Sequence, residues 1–497
     1  MRDRRSFAGW LLVLLPVAGA ALRLWQYAGS ASFWLDEVWL ATNVVERSWP
    51  ELLSGSLGFH QLAPPGFLAL SKLVTLRIAS ADWALRLLPL VCGLAVPALG
   101  YPVARVVFRG TAARAAFLGA LAFSPALVYY ASEFKQYSGD VLVTVALVGL
   151  GLRVRPDGHG LLALALGGIL APWFSYAAVF VLFGVGVTLV AETARGRRSL
   201  VPLARVGFAW LASFTLLFTT SLGTWTRDEF MVSFWSAGFA PLSGELPAWL
   251  VESTLGLTHL AFLHAGASGA DAAPTWYGMP VVLLSVAVLA GLAGLGRCSR
   301  RLQVSIALVL AMTLVLSAAR LYPLRGRMIL FLVPVVHLAA ASVVEWLARR
   351  DGTRRSAGAL ATVLVLVPLG VSLASYPSAH AGTEGALRFL AARWEPGDTL
   401  ALDAWSDPAL RFYAPRVGWT DLPPTLPPFP DATDPATFRE AICRVRGRRT
   451  WILITRLDLH GGALVQLERD GTRLDGWAGQ GTVVWLVDLS APDACGR

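Results

Sequence analysis

The sequence predicts an α-helical polytopic membrane protein. We expect about 11 transmembrane helices, interfacial helices at one face, and a small C-terminal α/β extracytoplasmic domain. Three observations carry this expectation. The 497 residues are 55% hydrophobic and only 15% charged, with a mean hydropathy of +0.58; a soluble globular chain is roughly 25% charged. The apolar runs are about 20 residues of Leu, Val and Ala, which suits helices and not the ten-residue alternations of a barrel. Arginine clusters stand in every second loop between those runs, as the positive-inside rule requires.

The net charge of +10 is carried almost wholly by arginine, since lysine occurs only at Lys72 and Lys135. Span topology accounts for most of these charges, so they do not point to nucleic acid. The cysteines, Cys92, Cys298, Cys443 and Cys495, form no CxxC or Cys/His metal spacing. Cys443 and Cys495 can pair if their region is extracytoplasmic. The N-terminus, basic and then apolar, is signal-like. It lacks a convincing small-residue cleavage site before Tyr27, so we read an uncleaved first span.

That span covers 7–28, with Arg2, Arg4 and Arg5 holding its start in the cytoplasm. Residues 34–53 then carry apolar positions at helical spacing, the pattern of an interfacial amphipathic helix. The next apolar stretch, 64–79, is short. If it crossed, the basic loop Arg105, Arg109 and Arg114 would fall outside, so we read it as partly embedded or re-entrant. Spans over 84–107 and 114–131 follow, and a fourth ends at Arg153. Residues 160–192 are broken by Pro172-Trp173-Phe174-Ser175 and read as two short spans. Spans over 201–222, 276–296, 302–321, 329–348 and 356–375 complete the set, with a large outer loop at 223–275 whose small, polar tip Gly266–Pro274 is expected to be mobile.

From Pro377 the composition changes. Apolar runs shorten to five or six residues near 400–402, 451–454 and 483–487, alternating with helix-like segments near 384–394, 406–413 and 462–470. Pro424, Pro427, Pro428 and Pro430 mark an irregular loop. We therefore divide the chain into a membrane domain, 1–376 (first outer loop 29–83), and an α/β domain, 377–497, placed outside by parity.

Parity gathers three charged clusters on the outer face: Asp36 and Glu37 with His60; Glu133, Lys135 and Tyr137; and Tyr322, Arg325 and Arg327. A carboxylate can act as base toward a hydroxyl or hold a divalent cation, for which Asp36 and Glu133 are the candidates. Lysine and arginine can hold a phosphate, one as a point charge and the other as a bidentate fork. Together these groups suit transfer of a group from a lipid phosphate, whose departing anion a preformed cationic cradle stabilises. Each cluster also has a plainer reading. The acidic pair can cap a helix, the Glu133–Lys135 cluster can be a solvated turn, and the arginines can be snorkelling anchors. His60 before Pro64-Pro65 can be a turn residue. His337 and Glu345 read as structural.

In these residues the chain resembles the polytopic glycosyltransferases of the C-type (GT-C) fold, which include the protein O-mannosyltransferases of family 39 and the lipid A aminoarabinose transferases. The resemblance lies in an ordered set: Asp36-Glu37 after the first span, His60 with Pro64-Pro65, Glu133, Lys135 and Tyr137 after the third, and Tyr322-Pro323 with Arg325 and Arg327 before a late one. Gln61-Leu62-Ala63 separates His60 from the prolines, which usually follow directly, and Lys135 stands where arginine is usual. The resemblance implies a membrane glycosyltransferase, usually inverting, that takes a sugar from a polyprenyl phosphate. It implies Asp36 as base, Glu37 and Glu133 orienting acceptor or metal, His60 and Tyr137 on the acceptor side, and Lys135, Tyr322, Arg325 and Arg327 on the lipid phosphate. Its partners would be that donor, an extracytoplasmic acceptor and the bilayer of the inner membrane. The competing functions are a transporter or flippase of a lipid-linked or amphipathic substrate, which would bury charge at mid-span, and a scaffold presenting the C-terminal domain.

Overall fold

The computed structural model describes residues 2–29, 32–54, 56–223, 229–264, 278–378, 381–402, 405–420, 449–455, 472–479 and 481–488. The expected mobile tip, the Pro424–Pro430 loop, the 462–470 segment, Cys443 and Cys495 lie outside the described residues. The chain forms two compact units: Met1–Ala28 with Ser48–Pro377, and Gly29–Arg47 with Ser378–Arg497.

The first unit is a helical bundle. Among the described residues eight helices are long and apolar enough to cross a bilayer, and a bent pair, Thr111–Phe123 with Pro125–Ser132 at 49°, makes a ninth. In chain order the membrane-related helices are α1 (Arg2–Ala28), then, beyond a short helix of the other unit labelled α2 below, α3 (Trp49–Ser54), α4 (Pro65–Arg77) and α5 (Asp82–Val107). The bent pair forms α6 and α7, followed by α8 (Tyr137–Arg153), α9 (Leu161–Phe174), α10 (Ala178–Arg195) and α11 (Val201–Leu222). After α12 (Leu246–Phe262) come α13 (Met279–Arg297), α14 (Arg300–Ala318), α15 (Gly326–Ala348) and α16 (Arg354–Ser375). Each expected span thus coincides with a helix. The fourth and fifth, α8 and α9, have 17 and 14 residues and are short for a 30 Å hydrocarbon layer.

The 64–79 stretch forms a 13-residue helix, α4, whose entry is set by Pro64 as cap and Pro65 as first helical residue. It packs against α9: a side chain at Gly66 would collide with Phe174 and the Trp173 carbonyl. α15 is the central helix, with 89% of its apolar window buried, whereas α11, at 11%, presents Phe208 and Leu211 outward. That outer face suits lipid contact.

Small residues permit the closest helix contacts. A Cβ at Gly291 would lie 2.0 Å from the Ala339 carbonyl oxygen, and one at Gly184 would lie 2.4 Å from that of Ser305. Polar ties sit at the helix ends that carry the basic loops. Buried Glu345 accepts the backbone N–H groups of Arg109 (3.2 Å) and Gly110 (2.9 Å) and pairs with Arg349 at 2.6 Å. Arg301 pairs with Glu192 at 2.7 Å and donates to the carbonyls of Gly151 and Val154. Arg23 is fully buried and donates to the carbonyls of Gly19, Leu121 and Ala122. His337 is structural too, with Nε2 3.1 Å from the Ala261 carbonyl oxygen.

The second unit is built on a four-stranded sheet. β1 (Thr399–Leu402) runs parallel to β2 (Arg449–Ile454), β2 is antiparallel to β4 (Thr482–Asp488), and β4 is antiparallel to β3 (Thr472–Gly479), in the order β1-β2-β4-β3. β1, β2 and β4 match the short apolar runs and are almost wholly buried, while β3 is largely exposed and lacks such a run. Helices α17 (Thr383–Ala391) and α18 (Asp407–Tyr413) pack with the sheet unit. So does α2 (Leu35–Glu46), from the far end of the chain. The backbone N–H of Phe33 donates to the Tyr413 hydroxyl at 2.6 Å, Trp39 stacks on Trp405 at 5.3 Å, and Ser32 bridges to Ala381. The single helix expected over 34–53 is therefore two. α2 ends at Arg47, whose backbone is extended, and α3 starts before Pro50.

Candidate functional site

The acidic pair lies in the second unit, at the start of α2. Glu37 is fully buried, and its carboxylate accepts the Trp34 backbone N–H at 3.3 Å, closing a capping box. The capping role weighed for the pair is thus filled by Glu37. Asp36, half-buried, stands in the same first turn, where the helix dipole favours a carboxylate.

The other candidates lie in the first unit and come from three chain segments. The α7–α8 connection supplies Glu133, Lys135 and Tyr137, all buried, so this is not a solvated turn. Lys135 Nζ donates to Gln61 Oε1 at 2.5 Å. Gln136 Nε2 reaches the Leu62 carbonyl at 3.4 Å, and the Tyr176 hydroxyl donates to that of Ala63 at 3.0 Å. The inserted Gln61-Leu62-Ala63 is therefore the element that ties the His60 loop to the second charged cluster. Ahead of it, Phe59 (φ 59°) and His60 (φ 52°) both occupy the left-handed region, which bulky residues seldom adopt. The turn holds the exposed His60 ring against Phe230, with centroids 4.4 Å apart.

The third cluster enters from the α14–α15 connection. Arg327 is buried and lies 5.9 Å from the Tyr137 ring centroid and 5.7 Å from that of Trp235. A guanidinium held between two aromatic faces keeps its charge while losing water. It is not a snorkelling anchor. Trp235 is brought there by backbone pairing: the Leu324 N–H donates to the Gly238 carbonyl at 2.7 Å, and the Ala240 N–H donates to Ser317 Oγ at 3.0 Å. Glycine is needed at 238, because a Cβ would press within 2.9 Å of Pro323 and 3.2 Å of Arg325.

Arg325 is half-buried beside this turn. The Tyr322 hydroxyl donates to the Met328 carbonyl at 2.7 Å and its ring packs on Phe180 at 4.8 Å, so it shapes the loop that carries the arginines. Burial, and then the nearby Asp140, pushes its phenol well above the usual range.

The geometry thus brings Arg327 onto the Tyr137 ring, with Lys135 two residues earlier in the chain and the His60 loop tied to Lys135 through Gln61. Among the described residues no three His, Cys, Asp or Glu side chains converge to hold a metal ion. The sequence reading passed over Gln61 and Asp140. Asp140 was detectable as a lone acid inside an apolar run, which in a membrane helix is a functional signal. Gln61 carried none.

A bundle with polar clusters at its helix ends, joined to a small sheet domain, defines a class that the solved structures confirm. No protein-family model matches the sequence, and no curated protein matches it. The fold is similar to that of ArnT from Cupriavidus metallidurans bound to undecaprenyl phosphate, with a TM-score of 0.51 and 13% identity over 98% of this chain and 99% of that one. It is also similar to the oligosaccharyltransferase AglB from Archaeoglobus fulgidus in complex with an inhibitory peptide and a dolichol-phosphate, at a TM-score of 0.52, 12% identity, 97% of this chain and 74% of that one. An Archaeoglobus fulgidus oligosaccharyltransferase complex with Zn and sulfate gives a TM-score of 0.51 at 15% identity, covering 96% of this chain and 73% of that one. The chain has the GT-C fold and is a multi-pass membrane protein.

Proposed function

We propose that this protein is a membrane glycosyltransferase that moves a sugar from a polyprenyl phosphate to an extracytoplasmic glycan, lipid or protein. The observation that carries the reading is the buried Arg327 between Tyr137 and Trp235, with buried Lys135 two residues before Tyr137. Buried lysine and arginine side chains can hold a phosphate, one as a point charge and the other as a fork, and two of the three structures described above carry lipid phosphates.

In the reaction the bond between the anomeric carbon and the phosphate oxygen breaks, and the electron pair leaves with the polyprenyl phosphate. Lys135, Arg325 and Arg327 stabilise that charge. Asp36 takes the proton of the acceptor hydroxyl, whose oxygen attacks the opposite face and inverts the centre. Glu37 holds the start of the helix that presents Asp36. Glu133, His60 and Tyr137 serve the acceptor side. The N-terminus is cytoplasmic and the C-terminal domain faces out from the inner membrane.

The test is transfer from a polyprenyl-phosphate sugar by purified protein. Asp36→Asn should reduce the rate at least a thousandfold with donor binding intact. Full activity of the variant sinks the role of Asp36.

A further inference from the structure

The proposed reaction leaves one buried acid without a task. Asp140 lies in the first turn of α8, three residues after Tyr137 and therefore on the same helix face. It is 9% exposed, and its Oδ1 has no hydrogen-bond partner. The Ser175 hydroxyl neighbours the carboxyl without closing a hydrogen bond, for Ser175 Oγ is itself buried and without a partner. The phenols of Tyr176 and Tyr322 feel the charge of Asp140. Both are committed elsewhere, Tyr176 to Ala63 and Ser221, and Tyr322 to Met328. A buried carboxylate oxygen lacking a donor is costly, and an ionisable group in a membrane helix is seldom idle.

We propose that Asp140 is a specificity-determining residue that accepts a hydroxyl of the donor sugar. This rests on the lipid-phosphate reading. Three parts of such a donor are available to meet Asp140. The esterified phosphate carries no hydrogen to give an acceptor, and neither does the isoprenoid chain. The sugar hydroxyls alone supply what Oδ1 and Ser175 lack. The spacing agrees: Tyr137 lies under Arg327, and the three-residue rise to Asp140, about 4.5 Å, is comparable with the width of a sugar ring attached to a phosphate held there.

The experiment measures binding by the full-length protein in lipid nanodiscs. The ligands are undecaprenyl phosphate, undecaprenyl phosphates bearing glucose, mannose or galactose, and the monodeoxy analogues of whichever hexose binds best. Asp140→Ala should bind undecaprenyl phosphate within twofold of the wild type and the sugar-bearing lipid at least tenfold more weakly. One deoxy analogue that the wild type rejects tenfold should bind the variant no worse than its parent sugar. Asp140→Asn, nearly isosteric, guards against a folding defect and should lose part of the same discrimination. Equal weakening toward bare and sugar-bearing lipid, or discrimination unchanged from the wild type, overturns the assignment while leaving the lipid-phosphate reading standing. A wild type that binds no undecaprenyl phosphate overturns both.

Discussion

Arg327 offers the sharpest test of the cradle, because its packing and its proposed ligand make separate contributions. In the absence of donor the guanidinium rests between two rings, at 5.9 Å from Tyr137 and 5.7 Å from Trp235. Two such contacts are worth about 1–3 kcal/mol together, so Arg327→Ala should lower unfolding stability by about that amount. Its bidentate, charge-assisted bonds to a phosphate add about 2–3 kcal/mol to donor affinity. At 1.4 kcal/mol per decade, the variant should bind undecaprenyl phosphate roughly 30- to 150-fold more weakly. Arg327→Lys keeps the charge but loses the fork, and should retain more affinity than alanine while falling short of the wild type. The assay is direct titration of the lipid in nanodiscs, with thermal unfolding of each variant alongside. A folded Arg327→Ala that binds the lipid within twofold of the wild type refutes the reasoning, and reduces Arg327 to a packing residue.

Further outcomes are expected. Glu37→Gln preserves an oxygen for the Trp34 N–H and should keep transfer within several-fold, while Glu37→Ala should destabilise α2 by about 1–2 kcal/mol; loss of all activity in the glutamine variant would instead make Glu37 a chemical participant. Glu345→Ala leaves the N–H groups of Arg109 and Gly110 without their acceptor and strands Arg349, at a cost of about 2–4 kcal/mol measured by unfolding; an unchanged unfolding midpoint would show that water replaces the carboxylate at no cost. Ser80→Cys should react with an impermeant maleimide added outside the cell; labelling only from the cytoplasm would mean that α4 crosses the bilayer and that every later span is inverted.

Much of this was written in local patterns. Apolar runs located the bundle helices because a bilayer tolerates little else at that length. The Pro64-Pro65 start of α4 and the buried β1, β2 and β4 were readable for the same reason, since proline and short apolar runs act within a few residues. β3 was missed because its exposed, polar sequence carries no such mark. The site was legible as residue types and order, not as partners. Nothing local says that Gln61 will hold Lys135, or that the Tyr322 hydroxyl will turn to Met328. Likewise the apolar spacing of 34–46 predicts a helix with a greasy face, but not that Trp39 will stack on a residue more than 360 positions away.

That last pairing has a consequence for biogenesis. The α2 segment leaves the ribosome among the first 50 residues, yet its partners Tyr413 and Trp405 are among the last 100. Domains generally form as they emerge from the ribosome, but this one cannot: its first helix must wait, outside the bilayer, for nearly the whole chain. A chain stopped at Ser378 would keep its membrane helices and its cationic cluster and lack the docking surface of the helix that carries Asp36. Under the proposed function, completion of synthesis would then serve as a checkpoint, since an unfinished chain would carry the proposed phosphate cradle without a docked proposed base.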